Sequence, residues 1–112
     1  MDYRTIDKEA VERREKLCQA IPDVMKGFAG MRDAAFKDGA LTAKTKALIA
    51  VALGVSVRCD ACVTAHMQNA VRAGATREEL AEAVGVAVMM GGGPSSVYAA
   101  AVLEAYDQFY AK

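Results

Sequence analysis

From Ala47 to Val57 the chain reads ALIAVALGVSV, and almost no polar face remains after Lys46. A helix that is apolar all round must be covered on every side, so this segment is expected to lie at the centre of the subunit or to be shared with another subunit. The β-branched Ile49, Val51, Val55 and Val57 also suit a strand. Interspersed Ala and Leu and the helical periods on either side favour helix, with Thr42 as its N-cap. The longest apolar run, Ala47 to Val55, is far short of the roughly 20 residues that span a bilayer, so no membrane segment is expected. The chain has 112 residues, enough for one domain over 1–112 with a real core, and a partner subunit is expected to cover part of so apolar a surface.

The flanking segments read as helices. Residues Ile6 to Ala20 carry many charges and a thin apolar stripe of Val11 and Leu17, continued by Ile21. That pattern predicts a solvent-facing helix capped by Asp7, with Cys18 as a small buried hydrophobe. Pro22 suits a first helical position and Asp23 its first turn, so a second helix is expected to reach about Lys37 and to end at Gly39. Its Val24, Met25, Phe28, Met31, Ala35 and Phe36 recur at helical spacing and read as core. A fourth helix opens at the cysteine segment and ends near Gly74. Thr76-Arg77-Glu78-Glu79 is a capping box for a fifth, whose second half, Val84 to Met90, is apolar enough to be buried in the core or an interface. Gly91-Gly92-Gly93-Pro94 breaks it and reads as a hinge that lets two helices pack closely; no Lys-Ser/Thr follows to make a phosphate loop. The last helix, from about Ser95 to Tyr110, gathers Tyr98, Val102, Leu103, Tyr106 and Phe109 on one side.

Reactive side chains gather at a chemically useful spacing in Arg58-Cys59-Asp60-Ala61-Cys62-Val63-Thr64-Ala65-His66. On a helix, Cys59, Cys62 and His66 fall at i, i+3 and i+7, on one face. Two thiols at that spacing can close a disulfide with modest adjustment, and His66, one turn after Cys62, can take its proton. A free thiol with pKa about 8.5 is only a few per cent ionised at neutral pH. His66, the amides of a helix N-terminus and Arg58 would raise that fraction, while Asp60 opposes it. The same three side chains are also possible zinc ligands, but one helical face does not surround an ion and no second Cys or His pair completes a tetrahedron.

Lys+Arg and Asp+Glu both number 14, so no basic surplus argues for nucleic acid. No apolar leader follows Met1-Asp2-Tyr3-Arg4, and a close C-x-x-C pair suits a reducing compartment, which points to the cytoplasm.

Leu41-Thr42-Ala43-Lys44-Thr45-Lys46, the Cys59 to His66 segment, Ala73 to Leu80 and Met90-Gly91-Gly92-Gly93-Pro94, in that order, resemble the carboxymuconolactone decarboxylase family, and within it the alkylhydroperoxidase D-like branch. The resemblance implies an all-α fold of about six helices, assembly as a homotrimer or homohexamer, and a redox-active cysteine pair without cofactor or metal. It also implies roles: Cys62 attacks peroxide, His66 is its base, and Cys59 closes the disulfide. Two positions depart from the branch. Its relay glutamate, twelve residues before the first cysteine, is Ala47 here, and the histidine that alkylhydroperoxidase D carries before the second cysteine is Ala61. Glu82 is a candidate substitute for the missing carboxylate.

The resulting expectation is a peroxiredoxin-type thiol oxidoreductase that reduces a small hydroperoxide with electrons from a protein dithiol. The alternatives are a lactone decarboxylase-like enzyme, a zinc protein and a non-enzymatic assembly subunit.

Overall fold

The computed structural model describes residues 1–111, which form six α-helices and no strand: α1 (Tyr3–Ala20), α2 (Pro22–Ala35), α3 (Ala43–Ser56), α4 (Asp60–Arg72), α5 (Arg77–Gly91) and α6 (Gly93–Tyr110). Helix α3 packs against α4, α5 and α6, and these four make the central bundle; α1 lies on α4 and α6, and α2 packs against α1. Among the described residues no helix is long and apolar enough to cross a membrane.

The core runs along the inner faces of α3 to α6. Val51, Val55, Val63, Met67, Leu80 and Val102 are fully buried, each such side chain contributing about 1.5–3 kcal/mol on transfer out of water. The central position expected for α3 is found on one side of that helix. Its other side leaves Ile49, Leu53 and Val57 exposed.

Local signals set several boundaries as expected. The Thr42 hydroxyl accepts the N–H of Thr45 at 3.1 Å. Thr76 and Glu79 exchange both bonds of the capping box, at 3.1 and 2.9 Å. At the glycine run, Gly92 alone has a positive φ, 70°, and α6 restarts at the next residue. A Cβ on Gly91 would come within 1.9 Å of the Ser95 hydroxyl, so the two helices meet there as closely as a glycine allows.

Three expectations are corrected. The first helix starts at Tyr3 under an Asp2 cap, which accepts from Arg4 and Thr5, and not at Asp7. The extra turn is held by tertiary contact: Tyr3 is buried and its N–H donates to Gln108 on α6 at 2.7 Å. Helix α2 ends at Ala35, before Gly39, because the loop is tied to the start of α3 by Asp38, which accepts the Ala43 N–H at 2.7 Å, and by the Lys46 ammonium on the Lys37 carbonyl. The residues of α2 read as core are not buried; Val24, Phe28 and Met31 are exposed, because α2 lies outside the bundle. In α5, Val84 and Ala87 are buried in the core, one of the two places expected for this half of the helix, and Val86, Met89 and Met90 face outward.

Candidate active site

A chain reversal delivers the cysteine pair. Helix α3 closes with Arg58 in the left-handed region, φ 57°, its N–H on the Val55 carbonyl at 3.1 Å and the next N–H, of Cys59, on the Gly54 carbonyl at 3.2 Å. A glycine usually fills that position; an L-residue there costs about 1–2 kcal/mol. The turn places Cys59 at the N-cap of α4, where its sulfur accepts the Cys62 N–H at 3.1 Å. The two cysteines are joined as a disulfide across a Cα–Cα distance of 5.1 Å, inside the range that such bridges adopt.

The one-face arrangement expected of Cys59, Cys62 and His66 is only partly found. Cys62 and His66 line a cleft of about 980 Å³ between α1, α2 and α4, while Cys59, outside the helix proper, is not part of its wall. The floor is made of small residues, Ala43, Ala47, Ala61 and Ala65. The outer wall comes from α2 and the residue after it. Phe28, Met31 and Arg32 contribute to it, and the Phe36 ring is tilted 41° to that of His66 with 6.0 Å between centroids.

The imidazole is held neutral. Burial, helped by the positive charge of Arg32, pushes the pKa of His66 below its ordinary 6.5. Its Nδ1 is buried with no hydrogen-bond partner among the described residues. Residue 47, where the resemblance implies a relay carboxylate, is an alanine that lines the same cleft and is 3 % exposed. Glu82 does not supply that carboxylate: it is exposed on α5 and is not in the cleft wall. Cys18 is a free, half-buried thiol. Among the described residues no group of three or more His, Cys, Asp or Glu side chains is placed to hold a metal ion.

A profile of the carboxymuconolactone decarboxylase family matches residues 22–105, which include α2, the disulfide, His66 and the glycine hinge. This chain belongs to that family. The chain is similar to a carboxymuconolactone decarboxylase family protein from Legionella pneumophila, with 47% identity and a TM-score of 0.92 over 98% of this chain and 97% of the other. It is also 47% identical to an uncharacterized protein from Cupriavidus necator over 95% of this chain and 94% of that one. A Thermotoga maritima member of the family, described with an antioxidative response as a candidate role, shares 31% identity and a TM-score of 0.70 over 84% and 86% of the two chains.

The sequence singles out Cys59, Cys62 and His66 but not the wall that shares the cleft with Cys62 and His66. Arg32 and Phe36 are far from the motif along the chain, and the only signal they carried was the helical period that assigned Phe36 to the core. No local motif marks a residue that meets the site across a cleft.

Proposed function

We propose that this family member is a thiol-dependent peroxidase that cycles between a Cys59/Cys62 dithiol and the disulfide, with a protein dithiol as electron donor. One observation carries the reading: the disulfide lies where Cys62 meets a cleft, one helical turn from an imidazole held neutral and able to accept a proton. The antioxidative role suggested for the Thermotoga maritima relative points the same way.

In the first step His66 takes the thiol proton and the Cys62 thiolate attacks the terminal oxygen of ROOH. The O–O bond breaks, the alkoxide takes a proton and leaves as ROH, and Cys62 becomes a sulfenic acid. The Cys59 thiolate then attacks that sulfur, hydroxide leaves with a proton as water, and the S–S bond closes. Two electrons from the donor dithiol restore the pair through a mixed disulfide. The reading includes a reducing, cytoplasmic setting and assembly into a homotrimer or homohexamer. Assembly would cover the outward faces of α3 and α5, where Leu53, Met89 and Met90 are more than half exposed.

The test is to mix reduced protein with a hydroperoxide and count thiols over time. The Cys59/Cys62 pair is expected to be lost together, with Cys18 retained, and faster than free cysteine by about a hundredfold or more, the scale of positioned acid–base catalysis. Loss no faster than that of free cysteine overturns the reading.

A further inference from the structure

The cleft is far larger than hydrogen peroxide needs. About 980 Å³ lies at the upper end of the 300–1,000 Å³ typical of sites that enclose a whole organic ligand. Its walls are of two kinds. Phe28, Met31, Phe36 and Val11 supply apolar surface, and three arginines, Arg14, Arg32 and Arg72, line it together with two acidic residues, Asp7 and Asp33.

Of the three cations, Arg32 is the one whose charge acts on His66, and it lines the same cleft. Its tie to Asp33 is loose, Nε to Oδ1 at 3.6 Å with both side chains substantially exposed, and leaves the rest of the guanidinium fork free. Arg72 is engaged with Asn69 on its own helix. A planar fork above an apolar cleft is suited to bind a carboxylate in two parallel hydrogen bonds.

We infer that the substrate of this site is an organic hydroperoxide with an apolar body and a carboxylate, the body against Phe28, Met31 and Phe36 and the carboxylate on Arg32. The inference rests on the peroxidase reading for the reaction, but binding by the cleft does not depend on turnover. Arg32 is in this account a specificity-determining residue. The reaction is the one already balanced, with R bearing the carboxylate: ROOH takes two electrons and two protons from the dithiol and leaves as ROH and water.

The experiment compares cumene hydroperoxide with its para-carboxylate as oxidants of the reduced protein. In parallel, the two product alcohols, which are not oxidants, are titrated into the oxidised protein. Binding is read from the ring C–H signal of the chain's one histidine, His66. The carboxylate is expected to be favoured about tenfold or more in both measurements, the scale of a charge-assisted pair. In Arg32→Gln that preference should shrink to about twofold or less, with partial recovery in Arg32→Lys. Taking the acid-to-neutral ratio within each variant cancels any effect of Arg32 on the basicity of His66. Equal use and equal binding of the acid and neutral compounds overturn the inference, even if both hydroperoxides are reduced. An unchanged preference in Arg32→Gln overturns the assignment to Arg32. Preferential, Arg32-dependent binding of the acid without reduction of either hydroperoxide upholds the ligand class and overturns the peroxidase reading.

Discussion

The sulfur of Cys59 accepts the backbone N–H of Cys62 at 3.1 Å, so one half of the disulfide is also the cap of α4. On reduction that sulfur stays at the positive end of a helix dipole, which favours its thiolate. Cys62 lies inside the first turn and, in the proposed reaction, depends on His66 instead. As the single thiol of the pair in Cys62→Ser, Cys59 is expected to be alkylated by iodoacetamide at neutral pH several-fold faster than free cysteine. The alkylation rate measures it, and a rate equal to that of free cysteine would show that the cap does not activate the sulfur.

His66 sets a pH dependence. Its folded-state pKa lies below the unfolded value near 6.5, so the unfolded chain binds the proton first as pH falls. The associated stability is complete above pH 6.5 and is lost as pH falls through the depressed folded value. Melting temperature should therefore drop on mild acidification, and His66→Ala should remove that part of the drop. Asp2, Glu79 and Asp107, whose pKa values are also lowered, act in the same direction only below their ordinary 3.8, 4.5 and 3.8. In activity, His66→Ala should slow peroxide-driven thiol loss at neutral pH by about tenfold or more and recover at alkaline pH, where the thiolate forms unaided. A rate equal to that of the parent protein at neutral pH would leave His66 a structural residue.

Ala47 is expected to limit turnover. It lies on the floor of the cleft that holds the unpartnered Nδ1 of His66. Ala47→Glu should raise peroxide reduction by about tenfold to a hundredfold if the new carboxylate reaches the imidazole. Burial of an unpaired carboxylate at a 3 % exposed site works against it, at a cost of several kcal/mol. Turnover and melting temperature are measured on the same variant. A folded variant with no gain in rate would show that the proton takes another path.

Assembly should be visible in sedimentation. Leu53 on α3 and Met89 on α5 are 59% and 72% exposed, on faces that water does not favour. At micromolar concentration the chain is expected to sediment as a trimer or hexamer, and Leu53→Lys or Met89→Lys to shift it toward smaller species. A monomer would remove the proposed assembly.

The sequence by itself determined that the chain is helical, the caps at Thr42 and Thr76, and the spacing of Cys59, Cys62 and His66. Thr42, the Thr76/Glu79 box and the Gly92 break act through bonds within a turn or two, so their geometry follows from local residue order. The spacing of Cys59, Cys62 and His66 is local in the same way, and so is the loss of a carboxylate at residue 47. Tertiary structure decided what those residues face. A helical period shows that Phe28, Met31 and Phe36 share a side of the chain, but burial depends on what packs against that side. Helix α2 lies outside the bundle and turns part of it to the cleft. Tyr3 shows the converse: a polar-looking first turn is fixed by Gln108, 105 residues away along the chain. The neutrality of His66 has the same origin, since it comes from burial and from Arg32 on another helix, and neither is encoded near residue 66.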